Sequence, residues 1–399
     1  MSEKLGIEGG KPVRGSFLPF ALPSIGEEEI QEVVETLRSG WLTAGPRTKA
    51  FEDAFCAYTG APYALAVNSC TAALHLCLLG FHIGTGDEVI TTPLTFAATA
   101  NTIMMTGAKP VFVDVDEATY NIDVNLIERA ITKRTKAIVP VHIGGLPADM
   151  DSILKLAERY DLHVIEDAAH AVGARYGDAK VGDISDATCF SFYTTKTITT
   201  GEGGMITTRN QQFADRVRML SLHGLSRDAW NRYSQKGSWY YEIVDLGYKY
   251  NMNDIQAAIG LHQLKRIDEF TRRRREIAHR YDEAFGKDEA IVLPPRDSAV
   301  SEHIHHLYTI RLRLDRLIIT RDRFIEALRA ENIGSSVHFI PLHLHPYYRK
   351  EFGLDRGAFP VAEAIFDSII SVPIYPAMTN ADAEDVITAV LKILSVGRK

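Results

Sequence analysis

Residues 187–208 read ATCFSFYTTKTITTGEGGMITT. The run 187–192 is mostly apolar and barely alternates, which is how a strand covered on both faces reads. A second such run occupies 205–208. Between them stand Lys196, several hydroxyl residues and the glycines Gly201, Gly203 and Gly204. Glycine lets a backbone approach a ligand or another segment closely. A lysine in a desolvated pocket has a lowered pKa and can form a Schiff base. Any single loop lysine is more commonly a solvated one, so the surrounding sequence has to decide.

Outward from this stretch, helix-like and strand-like patterns alternate from about residue 25 to residue 210. A helix over 27–38 carries Ile30, Val33, Val34 and Leu37 on one face. Short apolar strands are expected at 63–67, 88–91, 109–113, 137–141 and 162–165. Helices are expected at 71–79, 96–105, 124–131 and 150–160. This alternation predicts an α/β fold with a mostly parallel sheet covered by helices on both faces. A long helical stretch then runs from 253 to about 285. Beyond it come a strand at 307–312, a helix at 321–331, the motif SVPIYP (371–376) and a last helix to about 394. The 399 residues exceed one minimal core. We therefore expect a large α/β domain over 1–260 and a smaller α+β domain over 261–399.

The net charge of −7 gives no reason to expect nucleic acid as a partner. The basic run Arg272 to Arg275 reads as the solvated face of a surface helix. The four cysteines Cys56, Cys70, Cys77 and Cys189 form no CxxC pair and sit in apolar surroundings, as reduced thiols do. The first residues, MSEKLGIEGGKPVRG, have no apolar signal core, and no run is long and apolar enough to span a bilayer. A cytoplasmic location is expected. No GxGxxG follows a first strand, which removes support for a dehydrogenase. His303, His305 and His306, and again His343 and His345, are suggestively spaced. Without an HExxH or CxxC pattern no metal site is expected. The first group reads as surface or strand residues and the second as pocket histidines.

Four clusters fall at the C-terminal ends of expected strands, the edge where an open parallel sheet binds ligands. Asn68-Ser69-Cys70-Thr71 opens a helix with small hydroxyl residues; free N–H groups there suit a phosphate, although a plain N-cap reads the same way. Thr95-Phe96 could stack an aromatic ring on a flat cofactor, although a lone Phe is usually core. Glu166-Asp167-Ala168-Ala169-His170 delivers two acids and a histidine; an Asp there could keep a pyridine nitrogen protonated, or cap the next turn. The fourth is the Lys196 turn itself.

Each signal alone is weak, but their order and spacing together resemble the DegT/StrS-type sugar aminotransferases, in the fold-type I group of pyridoxal-phosphate enzymes. The matching phrases include GWLTAGP, NSCTAALHLCL, GDEVITTPLTFAATAN, VIEDAAHAVGA, FSFYTTKTITTGEGGMI, LGYKYNMNDIQAAIG and SSVHFIPLH, and they span about 18–393. EDAAHAVG and GYKYN are shared with the branch that aminates a UDP-linked 4-keto-pentose.

The resemblance implies a fold-type I transferase that moves an amino group from glutamate to a nucleotide-linked keto-sugar and releases 2-oxoglutarate. Lys196 would be the catalytic Schiff-base lysine. Asp167 would pair with the pyridine nitrogen, His170 would approach the ring face or its 3-hydroxyl, and Phe96 would stack. Ser69, Thr71, Ser191 and the backbone at Cys70 would bind the phosphate. Lys249 or Asn251 would reach that phosphate from the neighbouring subunit of a homodimer with shared sites. Trp41, Thr43, His338 and His343 would lie near the sugar. Two departures stand out: Cys70 where many members have Gly or Ala, and GYKYN where many read GYNYR. A branch that removes a sugar hydroxyl has histidine at the lysine position, so Lys196 argues against it. Remaining alternatives are another 3- or 4-keto-deoxyhexose, a fold-type I enzyme acting on free amino acids, and a non-catalytic binding protein on the same scaffold.

Overall fold

The structure, a computed structural model, describes residues 4–226 and 240–399. The chain opens with α1 (Glu27–Ser39) and α2 (Pro46–Thr59). Alternation follows: β1 (Tyr63–Val67), α3 (Cys70–Gly80), β2 (Glu88–Thr91), α4 (Ala97–Met105), β3 (Lys109–Phe112), α5 (Val124–Ala130), β4 (Thr135–Ile138), α6 (Met150–Tyr160) and β5 (His163–Asp167). Then come β6 (Arg175–Tyr176), β7 (Ala179–Lys180), β8 (Ala187–Ser191), β9 (Gly204–Thr208), α7 (Gln211–Leu220), α8 (Asp254–Lys265) and α9 (Ile267–Phe285). The last third holds β10 (Ile291–Val292), β11 (Ser301–Glu302), β12 (Tyr308–Leu312), α10 (Arg321–Ala330), α11 (Pro346–Phe352), α12 (Pro360–Ser368), β13 (Ile369–Val372) and α13 (Asn380–Gly397).

Seven strands form the main sheet in the order β1-β9-β8-β5-β4-β2-β3. Strands β3, β2, β4, β5 and β8 are parallel, while β9 runs antiparallel to both β8 and β1. The reversal has a local cause. A parallel return needs a crossover, usually a helix, and residues 192–203 between β8 and β9 contain none. That tight return leaves Lys196 on a turn at the sheet edge. One face of the sheet is covered by α3 and α7, with Leu74, Leu76, Val217 and Leu220 buried. The other packs an aromatic layer, with Phe51 against Phe192 at 5.3 Å and Phe55 against Phe190 at 5.0 Å between ring centroids. Helix α3 is apolar nearly all round because it is buried nearly all round.

A second core gathers Phe285, Tyr308, Phe324, Val386 and Val390, and takes in Leu5 and Leu18 from the start of the chain. The boundary drawn near residue 260 falls inside α8, and the first residues leave the sheet region to join the later core. Among the described residues no helix is long and apolar enough to cross a membrane.

Several expectations need correction. The continuous stretch 253–285 is two helices, ending and restarting at Arg266. Helices α2 and α7 were not anticipated. Each buries only a narrow, interrupted set of residues, and α2 is anchored from afar: Asp254 accepts hydrogen bonds from the N–H groups of Gly45, Arg47 and Thr48 at 2.8, 3.1 and 2.9 Å. The strand placed at 137–141 is β4, two residues earlier. The basic run is no uniform solvated face, since Arg274 is 1% exposed.

Candidate active site

A cavity of about 490 Å³ opens at the C-terminal ends of β1, β5 and β8. Its depth is set by strand geometry. Successive residues of a strand point to opposite faces, so Glu166 and Asp167 part company at the end of β5. Glu166 turns away into a buried network, taking hydrogen bonds from His142 Nε2 at 2.7 Å, Ser185 Oγ at 2.7 Å and Thr188 Oγ1 at 2.8 Å. Ala148 N–H donates to His142 Nδ1, which puts the imidazole proton on Nε2. Burial pushes Glu166 up, but these donors outweigh it and hold it below the ordinary carboxylate range.

Asp167 faces the cavity. Its Oδ2 accepts from Thr99 Oγ1 at 2.7 Å and its Oδ1 from Ala169 N–H at 3.2 Å. Thr99 Oγ1 lies 2.8 Å from Thr95 Oγ1, one helical turn away, so the two threonines form a relay that orients the carboxylate. Burial raises the Asp167 pKa, opposed by Thr99, the Ala169 amide and the Lys196 charge. A cation or protonated ring placed beside it would reverse that shift.

Lys196 lines the same cavity on the turn after β8, its N–H bonded to Tyr193 O at 2.9 Å. Burial lowers its pKa from 10.5 to about 8, while Cys70 and Asp167 pull the other way. A measurable fraction of the amine is then neutral near neutral pH, as a nucleophile requires. Loading of cofactor-free protein with pyridoxal phosphate should therefore accelerate as pH rises through about 8, followed as growth of the visible band. A half-rise near the 10.5 of a free lysine would contradict this environment.

The start of α3 forms the end of the cavity where a phosphate was expected. Ser69 caps the helix, its Oγ accepting from Ala72 N–H at 3.1 Å, and the first intrahelical bond runs from Ala73 N–H to Ser69 O. The N–H groups of Cys70 and Thr71 precede that bond and suit an anion. Strand β9 presses directly on this helix start. A Cβ at Gly204 would lie 2.5 Å from Ser69 C and 2.7 Å from Cys70 N, so only glycine fits. Gly204→Ala should cost about 1–3 kcal/mol of stability and weaken pyridoxal-phosphate binding, read by thermal unfolding and by titration of the cofactor-free protein.

Ser69, Cys70, Thr71, Phe96, Asp167, His170, Ser191, Lys196 and His338 all line this cavity. The exposed Phe96 ring stands at its mouth, 6.2 Å from Phe339. His170 Nδ1 accepts from Gly144 N–H at 3.4 Å, leaving Nε2 to carry the proton, and burial, then Lys196 and His338, keeps the imidazole neutral. His338 Nδ1 sits 2.8 Å from Ser371 Oγ, and burial lowers its pKa to about 4.

Other assignments fall elsewhere. His343 is fully buried outside the cavity, with Nε2 2.8 Å from Glu363 Oε1, so it is a structural histidine. Replacing it should lower the unfolding temperature and leave the KM of either substrate unchanged. Trp41 and Thr43 are exposed and line no part of this cavity; the indole N–H bonds to Ala44 O. Lys249 and Asn251 hydrogen-bond to each other beside the end of β1 and also stay outside the cavity of their own chain. His303, His305 and His306, expected at the surface or in a strand, are instead packed inside, and His306 lines the cavity. Thr95, Thr99, His306 and Phe339 were not singled out for the site. Only the i, i+4 threonine pair left a sequence signal. Among the described residues no cluster of three or more His, Cys, Asp or Glu could hold a metal ion.

The cavity thus offers a neutralisable amine, a buried acid facing it and a helix start open to an anion, which fits an aldehyde-bearing, phosphorylated pyridine. Comparison with known proteins agrees. The model of the DegT/DnrJ/EryC1/StrS aminotransferase family matches residues 23–391. An uncharacterized protein of Methanocaldococcus jannaschii is 58% identical over 386 residues, covering 97% of this chain and 100% of its own. The spore coat polysaccharide biosynthesis protein SpsC of Bacillus subtilis is 55% identical, covering 96% of this chain and 98% of its own. Among solved structures, a putative sugar aminotransferase of Streptococcus pneumoniae in its PMP form superposes with a TM-score of 0.90 at 36% identity, covering 95% and 99% of the two chains. Its PLP form superposes with a TM-score of 0.88.

Proposed function

The chain belongs to the DegT/DnrJ/EryC1/StrS aminotransferase family and is a pyridoxal-phosphate-dependent sugar aminotransferase of fold type I, and on that premise we propose that it carries the amino group of glutamate to the keto group of a nucleotide-linked sugar in the Lys196 cavity. The observation that carries this reading is the buried amine of Lys196 facing Asp167 in one cavity at the sheet edge.

When bound, pyridoxal phosphate supplies an aldehyde for the amine and a protonated ring that withdraws electrons. The Cys70 and Thr71 amides with Ser69, Thr71 and Ser191 would hold the phosphate end. Asp167, oriented by Thr99, would keep the proton on the ring nitrogen. Lys196 Nζ would take the proton from the amine-bearing carbon of glutamate and deliver it to the former aldehyde carbon of the cofactor, which keeps the amino group as 2-oxoglutarate leaves, and would carry a proton in the opposite sense, from that carbon to the sugar carbon. His306, His338 and Phe339 form a further wall of the cavity, beside the place the sugar would take.

A 4-keto-pentose on UDP is the first acceptor to test, supported by the EDAAHAVG and GYKYN phrases. The part SpsC takes in spore coat polysaccharide biosynthesis supports a polysaccharide sugar here too. A homodimer with shared sites is proposed as well. Ile243, Val244 and Leu246 are exposed just before Lys249, which gives a second copy an apolar surface to cover beside the α3 start. The two cores are the two proposed domains, and the cytoplasm is the proposed location, supported by four free cysteines. The test is incubation of the loaded protein with glutamate and a panel of keto-sugar nucleotides, with mass detection. An aminated sugar and 2-oxoglutarate support the reading. Turnover of amino acids alone would replace it.

A further inference from the structure

Arg274 lies in α9, well outside the cavity, yet its guanidinium is buried and meets no carboxylate within ion-pair distance among the described residues. An isolated buried cation is costly unless its hydrogen bonds are well used. Those of Nη1 are used on carbonyls, while Nε is buried without a hydrogen-bond partner. Nη1 donates to Ile374 O at 2.7 Å, His306 O at 3.1 Å and His305 O at 3.4 Å. The next residue, Arg275, donates from Nε and Nη2 to His303 O at 3.2 and 3.0 Å. One turn of α9 therefore grips the segment 303–306 by its carbonyl oxygens and ties it to Ile374, just past β13.

Both gripped points line the Lys196 cavity: His306 with its neighbour Leu307, and Ile374. The His306 ring then lies 4.5 Å from the His170 ring, and its Nδ1 is buried without a hydrogen-bond partner. No hydrogen bond from its own ring fixes that nitrogen, so the position of His306 depends on its backbone. The backbone is fixed from the α9 side by Arg274 and from the sheet side by Gly144 and Gly145, whose carbonyls accept from Leu307 and Ile304 N–H.

We propose that Arg274 is a positioning residue for the sugar-amination reaction, acting through the His306 carbonyl to set the cavity wall that carries His306 and Ile374. The proposal rests on the reading of the Lys196 cavity as the place where the sugar is aminated. Its consequence is a defect in substrate fit, not in cofactor attachment, because Arg274 makes no hydrogen bond to Lys196, Asp167 or the α3 start, which are held by contacts of their own.

The test is a cycle of Arg274→Lys, His306→Ala and the double variant, each loaded with pyridoxal phosphate, with Arg274→Met as a fourth protein. Displacing a positioning group costs up to about 100-fold. The expected result is that the visible band of the bound cofactor persists in all four while KM for the keto-sugar rises about 10- to 100-fold in His306→Ala and Arg274→Met, with kcat little changed. Arg274→Lys, which keeps charge and donors, recovers part of the loss. In the double variant the two losses do not multiply, since part of the Arg274 effect passes through His306. Effects that multiply, or equal damage from Lys and Met, overturn the proposal. If Arg274→Met does not fold, the comparison of His306→Ala with the double variant still decides. Activity surviving in Lys196→Ala would instead overturn the reading of the cavity, which separates the two failures.

Discussion

Lys196→Ala should lose turnover and the visible band of the internal imine together. The argument is chemical. On the proposed reading the amine at 196 serves both as the bond to the cofactor aldehyde and as the proton carrier at the reacting carbon, and alanine offers neither. Positioned acid–base catalysis alone contributes about 10²–10⁴-fold, so the loss should be at least that large. The protein should still fold, because Lys196 sits on a turn at a cavity wall and not inside the aromatic layer of Phe51, Phe55, Phe190 and Phe192. Lys196→Arg keeps the charge without a nucleophile of suitable pKa and should be equally inactive. The measurement is the absorbance spectrum of the loaded variant beside its rate with glutamate. A variant that keeps the imine band, or the wild-type rate, would remove Lys196 from its assigned role.

Asp167→Asn should come second in size. The change keeps shape but loses the negative charge, so nothing holds a proton on the ring nitrogen. Electrostatic contributions of this kind are worth about 10²–10³-fold. The rate of the half-reaction with glutamate should fall by that order while the cofactor still attaches to Lys196. Glu166→Gln is the control. Glu166 accepts from His142, Ser185 and Thr188 on the far face. A neutral amide there disturbs a buried network, so stability should fall, while the rate of the folded protein stays near wild type. Equal kinetic damage from both variants would mean that the assignment of Asp167 over Glu166 is wrong.

These two neighbours show how far the sequence could be read. It placed two acids at the end of an apolar strand, and the parity of the strand decided which one meets the cavity. The threonine relay was half visible. Thr95 and Thr99 stand one helical turn apart, but nothing local shows that Thr99 reaches Asp167, 68 residues further on. The histidines were harder. His343 and His306 are similar in local sequence terms, and their fates are opposite: one is paired with Glu363 in the interior and the other lines the cavity. Arg274 sits among four consecutive arginines that look alike, and only one of them is fully enclosed.

Most of the order of elements, though not α2, α7 or the break at Arg266, and the location of Lys196 and Asp167 at strand ends came from the sequence alone, because caps, apolar runs and glycines act within a few residues of one another. Ser69 capping α3 and Asp149 capping α6 are signals of that kind. The enclosure of Arg274 and the meeting of His306 with His170 were decided by tertiary structure. Those contacts join residues far apart along the chain, such as Arg274 and Ile374, 100 positions apart, and His170 and His306, which are separated by still more. Their energy comes from burial and from carbonyls that exist at the right place only after the two cores have closed around them.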